Sequence, residues 1–185
     1  MAHGHFKGAQ SEANPEKLHS GPEHPLQPAA SLRPVGREDL PELLRLEALF
    51  PGDRLSARQL RYHLGSARAL WRVAATPAGD VHGYLLVLLH ARQHSARLYS
   101  LVVDPDRRGQ GLADRLLAAA ETELSRRGVA ALRLEVREDN QAAIALYRRR
   151  GYRDLGRRPG YYEDGAAALC MRLDLIRGGV SASAD

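Results

Sequence analysis

The sequence predicts an α/β layer fold, on three observations. Short strand-like and helix-like patterns alternate from residue 31 onward. One strand pattern, 97–103, runs into a glycine-bearing loop and then a strongly periodic helix. The chain has 185 residues, 44% of them hydrophobic, which allows one domain with a real core and is short for two.

Residues 32–35 read as the first strand. Asp39 and Glu42 have capping-box spacing ahead of Leu43, Leu44 and Leu46, which open a helix. Ser56 and Gln59 repeat that signature before a second short helix ending near Gly65. Residues 71–76 and 81–90 are the arms of a hairpin, because Pro77-Ala78-Gly79-Asp80 between them is turn chemistry. Residues 97–103 form another strand, closed by Asp104-Pro105. The next helix carries Leu112, Ala113, Leu116, Leu117, Ala120 and Leu124 on one face and stops at Gly128. Residues 131–136 are a strand. Asp139 or Asn140 caps a short helix that ends before Gly151. Residues 152–156 and 167–173 are the last strands.

Residues 1–30 contain four of the ten prolines and few large apolar residues. They are expected to form a disordered tail, because they bury too little surface to offset their ordering entropy. The folded domain is expected at 31–175, followed by a flexible tail at 176–185. The tail histidines His3, His5, His19 and His24 are irregularly spaced and have no cysteine among them, which fits a solvated leader better than a metal site. A single cysteine, Cys170, excludes an internal disulfide framework and a Cys-rich zinc site; its apolar strand pattern reads as inert core. His90 and His94 lack the helix and the glutamate of a zinc-protease motif, so no metal is expected. No stretch approaches the roughly 18 apolar residues of a membrane span, and no apolar signal region opens the chain. A cytoplasmic protein without a membrane partner is expected, as a monomer or homodimer.

The net charge is +5, and residues 31–185 hold 25 Arg, no Lys and 19 acids. A basic body favours anionic ligands such as phosphates. Arg148, Arg149 and Arg150 could meet an acidic partner, although a basic run at a helix C-terminus also suits a solvated surface. No nucleic-acid motif accompanies the charge, so nucleic acid is not expected as a partner.

The segment from Val103 to Leu117 passes from strand through glycines into helix. Unpaired helix N–H groups, the dipole, close backbone approach at glycine and two adjacent arginines together make a phosphate cradle. A Walker loop would need a lysine, and a dinucleotide fingerprint would need Gly or Ala where Asp114 stands. A tight strand–helix turn with no ligand is the plainer alternative.

Arg108-Gly109-Gln110-Gly111-Leu112-Ala113 resembles the Arg/Gln-x-x-Gly-x-Gly/Ala motif of the Gcn5-related N-acetyltransferases. The resemblance implies a mixed, mostly antiparallel twisted sheet of about seven strands with about four helices. It further implies acetyl-CoA as cosubstrate. The pyrophosphate would lie on Arg107, Arg108, Gly109, Gln110, Gly111, Leu112 and Ala113. A bulged strand just before would bring the thioester near Leu101, Val102 and Val103. A second block, 134–152, with Glu135, Asn140, Tyr147 and Gly151-Tyr152, is similar to the ribosomal-protein-alanine branch and to protein N-terminal acetyltransferases more broadly. Tyr161-Tyr162-Glu163-Asp164-Gly165 resembles their loop between the last two strands.

By that resemblance Glu135 is the base, through water, and Tyr147 the acid; Asn140 caps its helix and contacts the pantetheine arm. From the residues alone, Glu135 could instead be paired with Arg133 or Arg137, and Tyr147 could be core packing. Phe50, Arg54, Tyr161 and Tyr162 are expected around the acceptor. The loop after Phe50-Pro51 lacks the aromatic residue usual in the alanine-acetylating branch. The activity implied is transfer of acetyl to a primary amine, foremost a protein or peptide N-terminus. A small-molecule amine as acceptor, or a non-catalytic acyl-CoA-binding module, are the alternatives.

Overall fold

The computed structural model describes residues 5–7, 30–50, 54–90 and 94–176. The strands are β1 (His5–Lys7), β2 (Ser31–Arg33), β3 (Ala69–Ala75), β4 (Val81–Leu89), β5 (Ser95–Val103), β6 (Ala131–Arg137), β7 (Arg153–Arg158) and β8 (Ala168–Asp174). The helices are α1 (Leu40–Ala48), α2 (Ala57–Leu64), α3 (Leu112–Arg126) and α4 (Gln141–Arg149). Seven strands run in the order β2-β3-β4-β5-β6-β8-β7, and β1 joins the sheet on β5. All neighbours along the path are antiparallel except β5 and β6. The expected mixed sheet with four helices is present.

The sheet has a core on each face, as alternation along the strands requires. Leu85, Leu101, Leu132, Leu134 and Val136 pack with Leu116 and Leu117 of α3 and Tyr147 of α4. Tyr84, Leu86, Tyr99 and Val102 point the other way, onto Leu43 and Leu46 of α1 and Leu60 of α2. Both groups are large, and helices cover both faces of the central strands.

Local chemistry explains most boundaries. Ser56 and Gln59 form the expected capping box, with Gln59 N–H donating to Ser56 Oγ at 3.3 Å. Asn140, rather than Asp139, caps α4, its Oδ1 accepting from Ala143 N–H at 3.1 Å. Asp39 does not make its expected capping box with Glu42. It accepts both arms of the Arg33 guanidinium and the Gly36 N–H, because a bidentate charged partner is stronger than a helix amide. The Arg33 fork holds the Asp39 carboxyl below the usual carboxylate range.

Within the stretch read as a disordered tail, His5–Lys7 is a strand: a free sheet edge supplies backbone partners that composition alone does not reveal. Ala30 is buried. The remainder of 1–29, and 177–185, lie outside the described residues.

Candidate active site

The site begins with a parting of strands. β5 and β6 pair only at Ser95–Ala131, Ala96–Leu132 and Arg97–Arg133. Beyond that point β5 runs on to Val103 and β6 to Arg137 without pairing each other. The result is a cleft whose β5 edge carries backbone N–H and C=O groups in need of partners. β1 takes three of those places, His5 opposite Ser100, Phe6 opposite Leu101 and Lys7 opposite Val102, and it also lies near β6.

Tyr99 is a β-bulge. Leu86 pairs with Ser100 and Val87 with Leu98, so Tyr99 has no opposite number on β4. A bulge leaves its extra residue out of the ladder and bends the strand. The bulge therefore lies before the 101–103 stretch expected beside the thioester, and Leu101, Val102 and Val103 lie between it and the glycine loop. Sequence reading missed Tyr99, because a bulge is set by the pairing of two strands and not by residue type.

At the far end of β5, Asp104 caps a short 3₁₀ turn, Pro105–Arg107, accepting from Asp106 N–H. Gly109 and Gly111 follow with φ of +74° and +71°, the left-handed region that favours glycine. Gly111 is the N-cap of α3. A Cβ at either glycine would meet nothing within 4 Å. Their small size therefore serves the backbone turn and leaves open space over the helix N-terminus. Arg108 sits 6.0 Å from the Phe50 ring, so Phe50 adjoins the glycine loop. Arg45 donates to Asp104 at 3.0 Å and ties α1 to the same place.

Glu135 and Tyr147 lie on opposite faces around the cleft. Leu132, Leu134 and Val136 face the α3 side, so Glu135 faces the other. Arg97 Nε donates to Glu135 Oε2 at 2.8 Å, and Arg97 Nη2 donates to the Tyr161 hydroxyl at 2.7 Å. Arg158 Nη1 stands 3.4 Å from Glu135 Oε1. The neighbours weighed from sequence, Arg133 and Arg137, are not its partners, since residues two apart on one strand are farther than those on adjoining strands. Burial works against the Arg97 charge, but Glu135 and Tyr161 more than offset it and its pKa is raised. Tyr147 is fully buried and packs on Tyr152 with ring centroids 5.4 Å apart. Burial, with the Tyr162 phenol second, holds Tyr147 well above the ordinary tyrosine range, so it keeps its proton.

A profile of the acetyltransferase (GNAT) family matches residues 38–152. The chain belongs to this family. It is 49% identical over 67 residues to the [ribosomal protein bS18]-alanine N-acetyltransferase of Escherichia coli K12, covering 36% of this chain and 45% of that one. It is 34% identical over 146 residues to the mycothiol acetyltransferase of Salinispora arenicola, covering 64% of this chain and 48% of that one. The chain thus spans under half the length of these curated relatives. The crystal structure of the Escherichia coli ribosomal-protein-S18-alanine N-acetyltransferase superposes with a TM-score of 0.74 at 30% identity, over 82% of this chain and 97% of that one.

The other residues expected at the site of this GNAT domain fall as follows. Asn140 is buried at the start of α4 and is a helix cap. Tyr161 is half-buried beside Arg97; Tyr162 is buried, with Arg137 4.8 Å from its ring. Arg54 is exposed, and 51–53 before it lie outside the described residues. Cys170 is half-buried and pairs across from Glu135 instead of lying in the core. Burial raises its pKa, so it stays a thiol. The basic run at the end of α4 is spent largely within the fold: Arg150 pairs with Asp114 and Glu121, and Arg148 with Asp154.

One buried carboxylate was missed by sequence reading. Glu47 accepts from Leu55 N–H and from the Tyr84 hydroxyl, and that hydroxyl lies 3.1 Å from Ser100 Oγ, next to the bulge. It locks the end of α1 to the start of α2 and to β5. Its signal was there: Leu43, Leu46, Glu47 and Phe50 share one helix face, where an acid is out of place unless partnered.

Proposed function

We propose that this GNAT domain is an N-acetyltransferase that moves acetyl from acetyl-CoA to a primary amine, foremost the α-amino group of a protein or peptide, by direct attack. The observation that carries this reading is the β5–β6 cleft, with the Tyr99 bulge at its inner end and the open glycine turn at its mouth. The residues fit the coenzyme. Gly109, Gly111 and the first turn of α3 would hold the pyrophosphate, and the β5 edge would pair with the two amides of the pantetheine arm. When bound, the thioester supplies the activated acyl group.

The protein's own contribution is proton handling and alignment. An amine must be neutral to attack, and an α-amino group with a pKa of about 8 needs only a modest base. Glu135 serves through a water molecule, because guanidinium groups already engage both carboxylate oxygens. Tyr99, bulged out of register with β4, would turn its backbone N–H toward the position where the acyl oxygen gains charge. Tyr147, still protonated, gives a proton to the departing sulfur.

A small-molecule amine is the second reading, favoured by the likeness to a mycothiol acetyltransferase. The deciding experiment incubates the protein and acetyl-CoA with peptides of varied first residue and with small amines, read by mass. An acetyl mass on peptide N-termini supports the leading reading. Acetylation of small amines alone favours the second. Coenzyme binding with no acetylation of any acceptor leaves an acyl-CoA-binding module.

A further inference from the structure

The outer strands of the sheet are rich in arginine, and most of these side chains are held closely by an acid. On β7 and β8, Arg153 and Arg172 each contact Asp174 at 2.6 Å, and Arg157 contacts Glu138 at 2.6 Å. Arg137 on β6 is matched by Asp139 and Asp164. Arg158 is different. Among the described residues its one carboxylate is Glu135, at 3.4 Å, and Glu135 is already held more closely by Arg97 at 2.8 Å. Arg158 thus makes the longest of these ion pairs, to a carboxylate already held closely by another guanidinium. Arg158 is also more than half exposed, with a side-chain exposure of 59%, and stands 5.9 Å from the Tyr161 ring.

This imbalance lies where the acceptor amine must come. Glu135, Arg97 and Tyr161 surround that position on the face away from α3, and Arg158 leans over it from the sheet edge. A positively charged neighbour on the acceptor would meet two guanidinium groups against one carboxylate, whereas a carboxylate would find N–H donors of the loosely held Arg158 with spare capacity. Charge arranged in this way sets partner choice more than gross affinity.

We infer that the acceptor carries a carboxylate next to its reacting amine, and that Arg158 reads it. This rests on the acetyl-transfer reading above. For a peptide the carboxylate is an Asp or Glu side chain at the second position. For a free amino acid it is the α-carboxylate.

The test uses the full chain and acetyl-CoA with peptides alike except for Asp, Ala or Lys at position two, together with free amino acids and their amides. The readout is the ratio of kcat/KM between acidic and basic acceptors, which a general loss of activity does not move. Wild type should favour Asp over Lys by about fivefold, the ratio that one partly exposed ion pair supports. Arg158→Gln should bring the ratio near one, and Arg158→Glu should invert it. Preference among the peptides or among the amino acids tells which carboxylate is read. Equal or inverted rates in wild type, or a ratio unchanged in both variants, overturn the inference while leaving acetyl transfer intact. Failure to acetylate any acceptor overturns the transfer reading itself, and this inference with it.

Discussion

Arg97 Nε donates to Glu135 Oε2 at 2.8 Å across the point where β5 and β6 part, and the same guanidinium reaches the Tyr161 hydroxyl. One side chain thus fixes the carboxylate of β6 and the loop before β8 to the last paired rung of the cleft. Both partners are mostly buried, at 24% and 11% side-chain exposure. Arg97→Ala should therefore cost about 2 kcal/mol in urea denaturation, less than a fully buried pair because water still reaches the arginine. It should also lower kcat/KM for acceptors while leaving acetyl-CoA affinity near wild type. Arg97→Lys should restore part of the stability and little of the rate, since an ammonium cannot hold both partners in the planar fork. Equal activity in all three proteins would remove Arg97 from the positioning of Glu135.

Tyr147 is fully buried and keeps its proton through the neutral range. Tyr147→Phe removes one oxygen and retains the ring against Tyr152. We expect kcat to fall more than tenfold with acetyl-CoA affinity preserved, the pattern of a group used in the reacting state only. An unchanged kcat in single-turnover measurements would return Tyr147 to the core.

Gly109 takes a left-handed φ of +74° with open space above it. Gly109→Glu both strains that turn and places a negative side chain where a diphosphate is to lie. Calorimetry should show acetyl-CoA binding weakened at least tenfold. Gly109→Asn, which tolerates the left-handed region better, should bind more tightly than the glutamate variant. Normal binding by Gly109→Glu would move the phosphate site elsewhere.

Much of this was legible in the sequence, for identifiable reasons. The glycine turn and the Ser56 and Asn140 caps are local chemistry, in which a residue type and its spacing dictate a backbone state. The two-faced core follows from apolar periodicity. What could not be read depends on contacts between distant segments. Arg97 meets Glu135 across 38 positions and Tyr161 across 64, and no local pattern announces either. The Tyr99 bulge arises from the β4–β5 register, and the place of β1 from an edge that exists only after β5 and β6 have parted.

His63 of α2 packs against Tyr99 with ring centroids 5.0 Å apart, and burial lowers its pKa. His82 is lowered too, by burial first and then by Arg107. An unfolded histidine titrates near 6.5, so below that pH the unfolded chain binds protons that the folded one resists. The contribution of both histidines is complete above about pH 6.5 and is lost as pH falls through the lower folded values. The depressed carboxylates, Asp39 among them, act only at more acidic pH. The urea midpoint should thus fall between pH 7.5 and 5.5, and His63→Gln should flatten that slope. An identical slope would assign the loss to other groups.

The pairing of β1 with β5 puts His5–Lys7 in competition with the coenzyme for the site proposed above. Phe6 stands opposite Leu101, on the edge proposed for the pantetheine amides, and one edge cannot pair with two strands at once. On that proposal acetyl-CoA would displace His5–Lys7, and its apparent affinity would be reduced by the fraction of molecules in which the cleft is filled. Phe6→Pro removes an N–H and fixes φ in the middle of the short strand, which a ladder does not tolerate. The substitution lies outside 30–176, so the domain core should keep its urea midpoint. Amide exchange at Leu101 and Val102 should quicken, and acetyl-CoA should bind about fivefold more tightly, with kcat at saturating coenzyme unchanged. A synthetic peptide of residues 1–12 added to that variant should weaken coenzyme binding again. Faster exchange with unaltered affinity would mean that strand and coenzyme use different edges; unaltered exchange would mean that β1 does not hold the cleft in solution.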